Sequence, residues 1–444
     1  MKPHFPIHIM IKEFNSQMAF ASAVPADLNT SGVNMMNQSS ETTTGAVFTQ
    51  KNSNSRDVQS AVPAEQIAGA EATGNATNVN PAAGAAAQPA ENKQSAFRKF
   101  WTWLNEDDTE DDGLTPEERE AKKRANRVGF AVLYRKELAD HLSSKRFWAM
   151  FVLLFLVSVA ALYGAVGALQ QASLQAQAKS TSLGDFMFLK LFTTSGSNIY
   201  SFSTFLGFLG PVFGIMLGFD AINNEIAQGT LNRLAAQPIY RDTIINAKFL
   251  AGATIVFMTV FSLGGLLAGM GLLMSGINPA AEEWFRLIIF LFMAGVYISL
   301  WLAIAVLFST TSRHAATSAL ISIALWLFLT MFFSFVATGL ANLVYPSAGA
   351  SAQSLIGNYR LNAGLNRISP FYLFSEVTSV LMNPNVRSLD IMSLVEYQNG
   401  AIASYLTLGQ SLLQIWPHLV AMIAEALIGF AAAYISFMRK EIRA

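Results

Sequence analysis

No cysteine occurs anywhere in this chain of 444 residues, which excludes disulfides, thiolate metal sites and cysteine nucleophiles. Histidine is scarce as well. His4, His8, His141, His314 and His418 are scattered, with no pair at ligand spacing, so neither a metal site nor another cofactor is expected. Charge is the third shortage: only 13% of residues are charged, and soluble proteins usually carry nearly twice that share. The 29 cations and 29 anions cancel, so no bulk field argues for a nucleic-acid partner. Also missing is any Gly-x-x-x-x-Gly-Lys-Ser/Thr stretch of the kind that cradles nucleotide phosphates. The chain is therefore expected not to be an enzyme that hydrolyses ATP by itself.

What is abundant is apolar. Hydrophobic residues make up 52% of the chain and phenylalanine alone occurs 33 times. Apolar runs of about 20 residues match the hydrocarbon thickness of a bilayer. Six such spans are expected, near 147–169, 204–219, 249–274, 285–308, 315–340 and 412–438. The fold class that follows is all-α, a polytopic membrane protein with about six transmembrane helices behind a polar N-terminal tail.

Residues 1–95 are rich in Ala, Asn, Gln, Ser, Thr and Gly and are expected to form a disordered low-complexity tail. Its apolar stretch 7–11 is broken by His8 and stopped at Lys12 and Glu13, too short for a signal peptide. Residues 96–126 form an amphipathic and acidic linker. Within it, 97–104 reads either as a short interfacial helix or as a sticky patch of the tail. The acidic run from Glu106 to Asp112 reads as solvated linker. Thr115 and Pro116 mark a helix start. In the membrane domain, 127–444, a lead-in helix places Phe130, Leu133, Tyr134, Leu138 and Leu142 on one face by their spacing of three and four.

Orientation follows from cations. Arg127, Arg135, Lys136, Lys145, Arg146, Arg233, Arg241, Lys248, Arg313, Arg439, Lys440 and Arg443 flank one side, against Lys179, Lys190 and Arg286 on the other. The positive-inside rule then puts both termini in the cytoplasm. It leaves a cytoplasmic loop at 220–248 and a large extracytoplasmic loop at 341–411, with a turn at Asn383-Pro384-Asn385.

The cytoplasmic loop reads as a short helix, a break near Gly229, a second helix ended by Pro238, and a further helix entering the membrane at Lys248. Glu225 could pair with a cation, and Arg241 could meet lipid phosphate or a partner's carboxylate. Composition alone also allows a plain connecting loop. Glu225, then Gly229-Thr230-Leu231, Gln237-Pro238-Ile239, Arg241 and Lys248-Phe249-Leu250 resemble the permease subunits of ATP-binding-cassette (ABC) exporters of the type-2 class. The similarity extends to the branch with permeases of nitrous-oxide reductase maturation systems. Weaker pieces follow in order: Tyr134-Arg135-Lys136-Glu137-Leu138, Ser309-Thr310-Thr311-Ser312-Arg313, and Ile368-Ser369-Pro370-Phe371.

The resemblance implies a permease subunit of an ABC exporter, multi-pass in the plasma or inner membrane. It implies that Glu225, Gly229, Thr230, Leu231, Gln237, Pro238 and Arg241 couple to a separate ATPase subunit. It also implies a second permease copy, in a homo- or heterodimer, besides membrane lipid. The other reading is a non-transporting scaffold or mechanical transmitter in an ATPase-driven complex. Gly210, Gly214 and Gly218 make a small-residue edge that packs either within the subunit or against a second permease. Pro211 beside them predicts a kink, or a helix start if the segment dips in and returns. Glu425, near the middle of the sixth span, is an intramembrane polar residue. It faces a pathway or a partner, or it is protonated or hydrogen-bonded inside the bundle.

Overall fold

The computed structural model describes residues 115–178, 186–230, 240–346, 351–386, 389 and 405–440, and every regular element among them is helical. The readings of 1–95, 97–104 and 106–112 lie outside the described residues.

Helix α1 (Pro116–Ser143) starts on proline, whose missing N–H has no helical partner to lose at that position. Leu133 is buried, and Phe130, Tyr134, Leu138 and Leu142 are half-buried against the core. Next come α2 (Lys145–Ala178), the short α3 (Met187–Thr193), α4 (Phe202–Gly218), the short α5 (Asn223–Ala227), α6 (Arg241–Ser275) and α7 (Ala281–Thr311). Helices α8 (Ala315–Leu327) and α9 (Phe333–Val344) are joined by a π-helical turn, Phe328–Phe332. Helices α10 (Ala352–Asn366) and α11 (Pro370–Met382) precede α12 (Leu408–Arg439). Six apolar runs are long enough to cross a membrane: Lys145–Ala176, Phe202–Ala227, Arg241–Ser275, Ala281–Thr311, Ala315–Val344 and Leu408–Arg439. Each contains one of the expected spans. The turn at Asn383 is also present, with the Val386 N–H on the Asn383 carbonyl at 3.0 Å.

Span four, α7, is the hub. Its most apolar stretch is 72% buried, against 11% for the fifth and sixth spans, and it packs on α4, α6, α11 and α12. The outlying spans keep Leu320, Leu413, Leu427 and Ile428 exposed, as suits helices bathed in lipid.

The glycine edge of α4 lies against α7. A Cβ at Gly214 would stand 2.5 Å from the Ile298 carbonyl oxygen, and one at Gly218 would stand 2.8 Å from that of Leu302. At Gly210 it would meet the Ile298 side chain at 2.8 Å.

Pro211 sits inside an unbroken helix, so α4 does not start there. Proline cannot donate to the carbonyl four residues back, which here is Gly207. The hydroxyl of Tyr297 on α7 donates to that carbonyl instead, at 2.9 Å. The fully buried Tyr297 ring is held in turn by stacking on Phe374, with centroids 4.6 Å apart.

Tyr297→Phe should cost about 1–3 kcal/mol of stability by orphaning the Gly207 carbonyl. Pro211→Ala, which restores an N–H, should shrink that loss, and thermal unfolding in detergent reads both. Gly214→Ala should lower the melting temperature by overpacking, about 1–3 kcal/mol. Gly265→Ala, where a Cβ would meet nothing within 4 Å, should not lower it.

Candidate functional site

The chain leaves α4 at Gly218 and turns sharply. Arg146, at the start of α2, donates to the Asp220 carboxylate at 2.7 Å, and its guanidinium lies over the Phe219 ring. The backbone N–H groups of Ile222 and Asn223 then donate to the buried Ser309 hydroxyl at 3.0 and 3.2 Å. The Asn223 amide, turned with its nitrogen inward, reaches the Ser309 and Ser312 carbonyls at 2.6 and 2.7 Å. The end of α7 thus holds the first turn of α5.

Glu225 follows on the inner side of α5. Its carboxylate accepts from the Lys248 ammonium at 3.0 Å, and the Thr230 hydroxyl also donates to it. Lys248 donates in addition to Glu137 of α1 at 2.9 Å. Lys136 stands 3.3 Å from Glu137, 3.1 Å from Asp140 and 3.9 Å from Glu225. Lys248 and Glu137 are buried, and Glu225 is mostly so. A cation shared by two carboxylates therefore pins α1, α5 and α6 together. Nearby His141 is held below its ordinary value by burial, against the pull of the Glu137 charge and with the Lys248 charge adding to the effect.

Gly229 closes the elbow. Its φ is 66°, a left-handed conformation that favours glycine, and a Cβ there would meet nothing within 4 Å. The turn, not crowding, asks for glycine. Asn224, Ile226, Ala227, Gln228 and Gly229 face outward, with Ile226 40% exposed.

Several expectations change in detail. The helix after the elbow begins at Arg241, two turns ahead of Lys248. Its charge is tolerated inside the helix because two carboxylates meet it. Arg241 donates to the Lys440 carbonyl at the end of α12, at 2.9 Å, and Lys440 reaches the Thr310 carbonyl at 3.0 Å. Among the sequence-derived candidates, Glu225, Gly229 and Thr230 come together, and Arg241 stands at the neighbouring helix ends. Leu231, Gln237 and Pro238 lie outside the described residues. Glu425 is half-buried on α12, and its Oε2 is buried without a hydrogen-bond partner. Sequence reasoning missed Glu137 and Ser309 as parts of this site. Glu137 carried a signal: it lies four residues after Leu133, on the apolar stripe, where a lone charge needs a partner. Ser309 carried none. Among the described residues, no group of three or more His, Asp or Glu side chains is placed to hold a metal ion.

Replacing Lys248 by Met should remove the buried cation that Glu137 and Glu225 share, leaving only the half-exposed Lys136 beside them, and cost roughly 3–5 kcal/mol. The check is thermal unfolding in detergent; an unchanged melting temperature would show that the ion network does not hold the elbow.

Residues 131–442 match the family described as ABC-2 family transporter protein. Two relatives carry the name "Probable ABC transporter permease protein NosY". The one from Pseudomonas aeruginosa is 28% identical over 204 residues, 45% of this chain and 66% of that protein. The one from Stutzerimonas stutzeri is 26% identical over 203 residues, 46% of this chain and 67% of that protein. The matched stretch thus spans about two thirds of the length of each relative.

Proposed function

The chain belongs to the ABC-2 family of transporter proteins, a multi-pass membrane subunit of an ABC transporter, and on that premise we propose that it couples ATP hydrolysis on a separate subunit to export of a substrate. The observation that carries this reading is the elbow. Its exposed rim, Ile226 to Gly229, offers a small apolar and polar surface. Its buried side is tied by ion pairs and hydrogen bonds to α1, α2, α6 and α7. A push on such a rim reaches those helices through these ion pairs and hydrogen bonds. The elbow faces the cytoplasm in this reading, supported by the flanking cations, and both termini lie on that side of the plasma or inner membrane.

The working assembly is a pair of permeases with two ATPase subunits. ATP-driven closure of the ATPases shifts the balance between two helix arrangements, and each arrangement opens the path to one side. Glu225 positions the rim and does not itself meet the ATPase, since both its oxygens are engaged inside the subunit.

The test is copurification of ATPase activity with the tagged chain from its native host in mild detergent. Ile226→Asp should remove at least nine-tenths of the associated ATPase without moving the melting temperature, because it alters only the rim. Full retention of the ATPase would remove the rim as the docking surface. Reconstitution of the complex in liposomes separates export from a non-transporting mechanical role: ATP-dependent movement of cargo supports export, and hydrolysis without it supports the alternative.

A further inference from the structure

Helix α1 runs into the first span with only Ser144 between them, and one side of it is left uncovered. Its inner side meets the bundle through the buried Leu133 and Glu137. Turned away from these are Arg127, Val128, Ala131, Val132 and Arg135, all exposed, both valines at 63%. Ala131 lies four residues from each arginine, so the three side chains follow one stripe, with Val128 beside it. Asp140, nine residues past Ala131, falls on the opposite side of the helix, where it pairs with Lys136 at 3.1 Å. Among the described residues, neither the Arg127 nor the Arg135 guanidinium has an ion-pair or hydrogen-bond partner. Arg124 and Arg146, by contrast, are paired with Glu120 and Asp220.

Three contacts set the depth of this side. Asn126 Oδ1 accepts from the Thr243 hydroxyl at 2.8 Å, in the first turn of α6, where Arg241 and Lys440 join the ends of α6, α7 and α12. The Tyr134 hydroxyl reaches Thr254 at 2.9 Å, about 16 Å farther along α6. The Trp148 indole, 53% exposed at the start of α2, donates to the Leu142 carbonyl at 2.8 Å. An exposed tryptophan at the end of a span marks the head-group level. With its 35 residues, α6 is roughly 52 Å long against a hydrocarbon core of about 30 Å, so its first turns stand among head groups. The uncovered side of α1 is held at that level.

We propose that this side of α1 seats on the bilayer as a binding surface for anionic phospholipid, with Arg127 and Arg135 meeting the negative head groups and Val128 and Ala131 lying against the acyl boundary. A zwitterionic head group carries the same phosphate, but its own cation offsets the charge, so only a net negative lipid gains the full attraction. Depth decides for lipid over a protein partner: a soluble subunit would have to enter the head-group layer to reach Ala131. Only the choice of leaflet rests on the orientation proposed above.

Because the chain has no cysteine, Ala131→Cys creates a single labelling point. The full chain, with a fluorophore there, is placed in nanodiscs of phosphatidylcholine with or without phosphatidylglycerol, the acyl chains brominated to quench on contact. Both faces of a nanodisc offer the same lipid and no ATPase is present, so this test and the docking reading fail separately. Quenching should rise with phosphatidylglycerol and fall back at high salt, which screens exposed charges. A label at Asp140→Cys, on the far side of the helix, should be quenched little in either lipid. The ratio of seated to lifted helix should fall roughly fivefold for each of Arg127→Gln and Arg135→Gln, the worth of one basic residue near an anionic surface. Neither replacement should move the melting temperature, so a loss of quenching is not a loss of fold. Equal quenching in the two lipids, or a preference that survives both replacements, would overturn the proposal. Quenching no stronger at Ala131→Cys than at Asp140→Cys would overturn it as well, and would turn this side of α1 toward water or a protein.

Discussion

A carbonyl inside hydrocarbon has no water to turn to, so each one that the helical ladder frees must find a donor within the protein. Much of this structure follows from that constraint. Pro211 frees the Gly207 carbonyl, and Tyr297 answers from the neighbouring helix. The π-helical turn in the fifth span lies where the Ser369 hydroxyl donates to Leu329 at 2.8 Å. The buried Arg286 spends its guanidinium on the carbonyls of Leu381 and Leu406, at 3.0 and 2.7 Å, besides Glu282 and Ser411. Arg241 and Lys440 do the same for the ends of α12 and α7. Side chains that look like spare charges in the sequence are, in the fold, donors placed where backbone acceptors accumulate.

The same constraint makes α7 central. The helix that contributes Tyr297, Arg286 and Ser309 is also the one that α4 approaches through its glycine edge. Close backbone contact and polar satisfaction reinforce one another there: the glycines let the helices near enough for a hydroxyl to reach a carbonyl. The elbow end is stiffened by ion pairs shared among α1, α5 and α6, and the far end by the Arg286 clamp and by Glu376 of α11, which meets Arg367 and His418 at 2.9 and 2.7 Å.

Membership in the ABC-2 family does not define a cargo. Nothing in the apolar walls selects a substrate, since every membrane bundle has them. The polar features divide cleanly. Those around Glu225 are internally satisfied and brace a surface, whereas Nδ1 of His418 and Oε1 of Gln414 are buried without a partner.

How much of this was legible beforehand depends on range. Six spans could be read from the sequence because a hydrocarbon-length apolar run is a local property, and the elbow's break could be read because Gly229 announces its own backbone freedom. The amphipathic face of α1 was legible for the same reason. Partnership was not. Lys248 meets Glu137 from 111 positions away, and His418 meets Glu376 from 42, and no periodicity encodes who stands opposite whom. Glu425 drew attention by its depth, while Glu376, within the stretch expected to be an extracytoplasmic loop, and His418, near a helix start, did not, although they meet at 2.7 Å. That the chain lies in a membrane follows from its local apolar runs, and Gly229 marks where it bends. Which charges meet follows from packing alone, because burial makes an ion's environment depend on every helix around it.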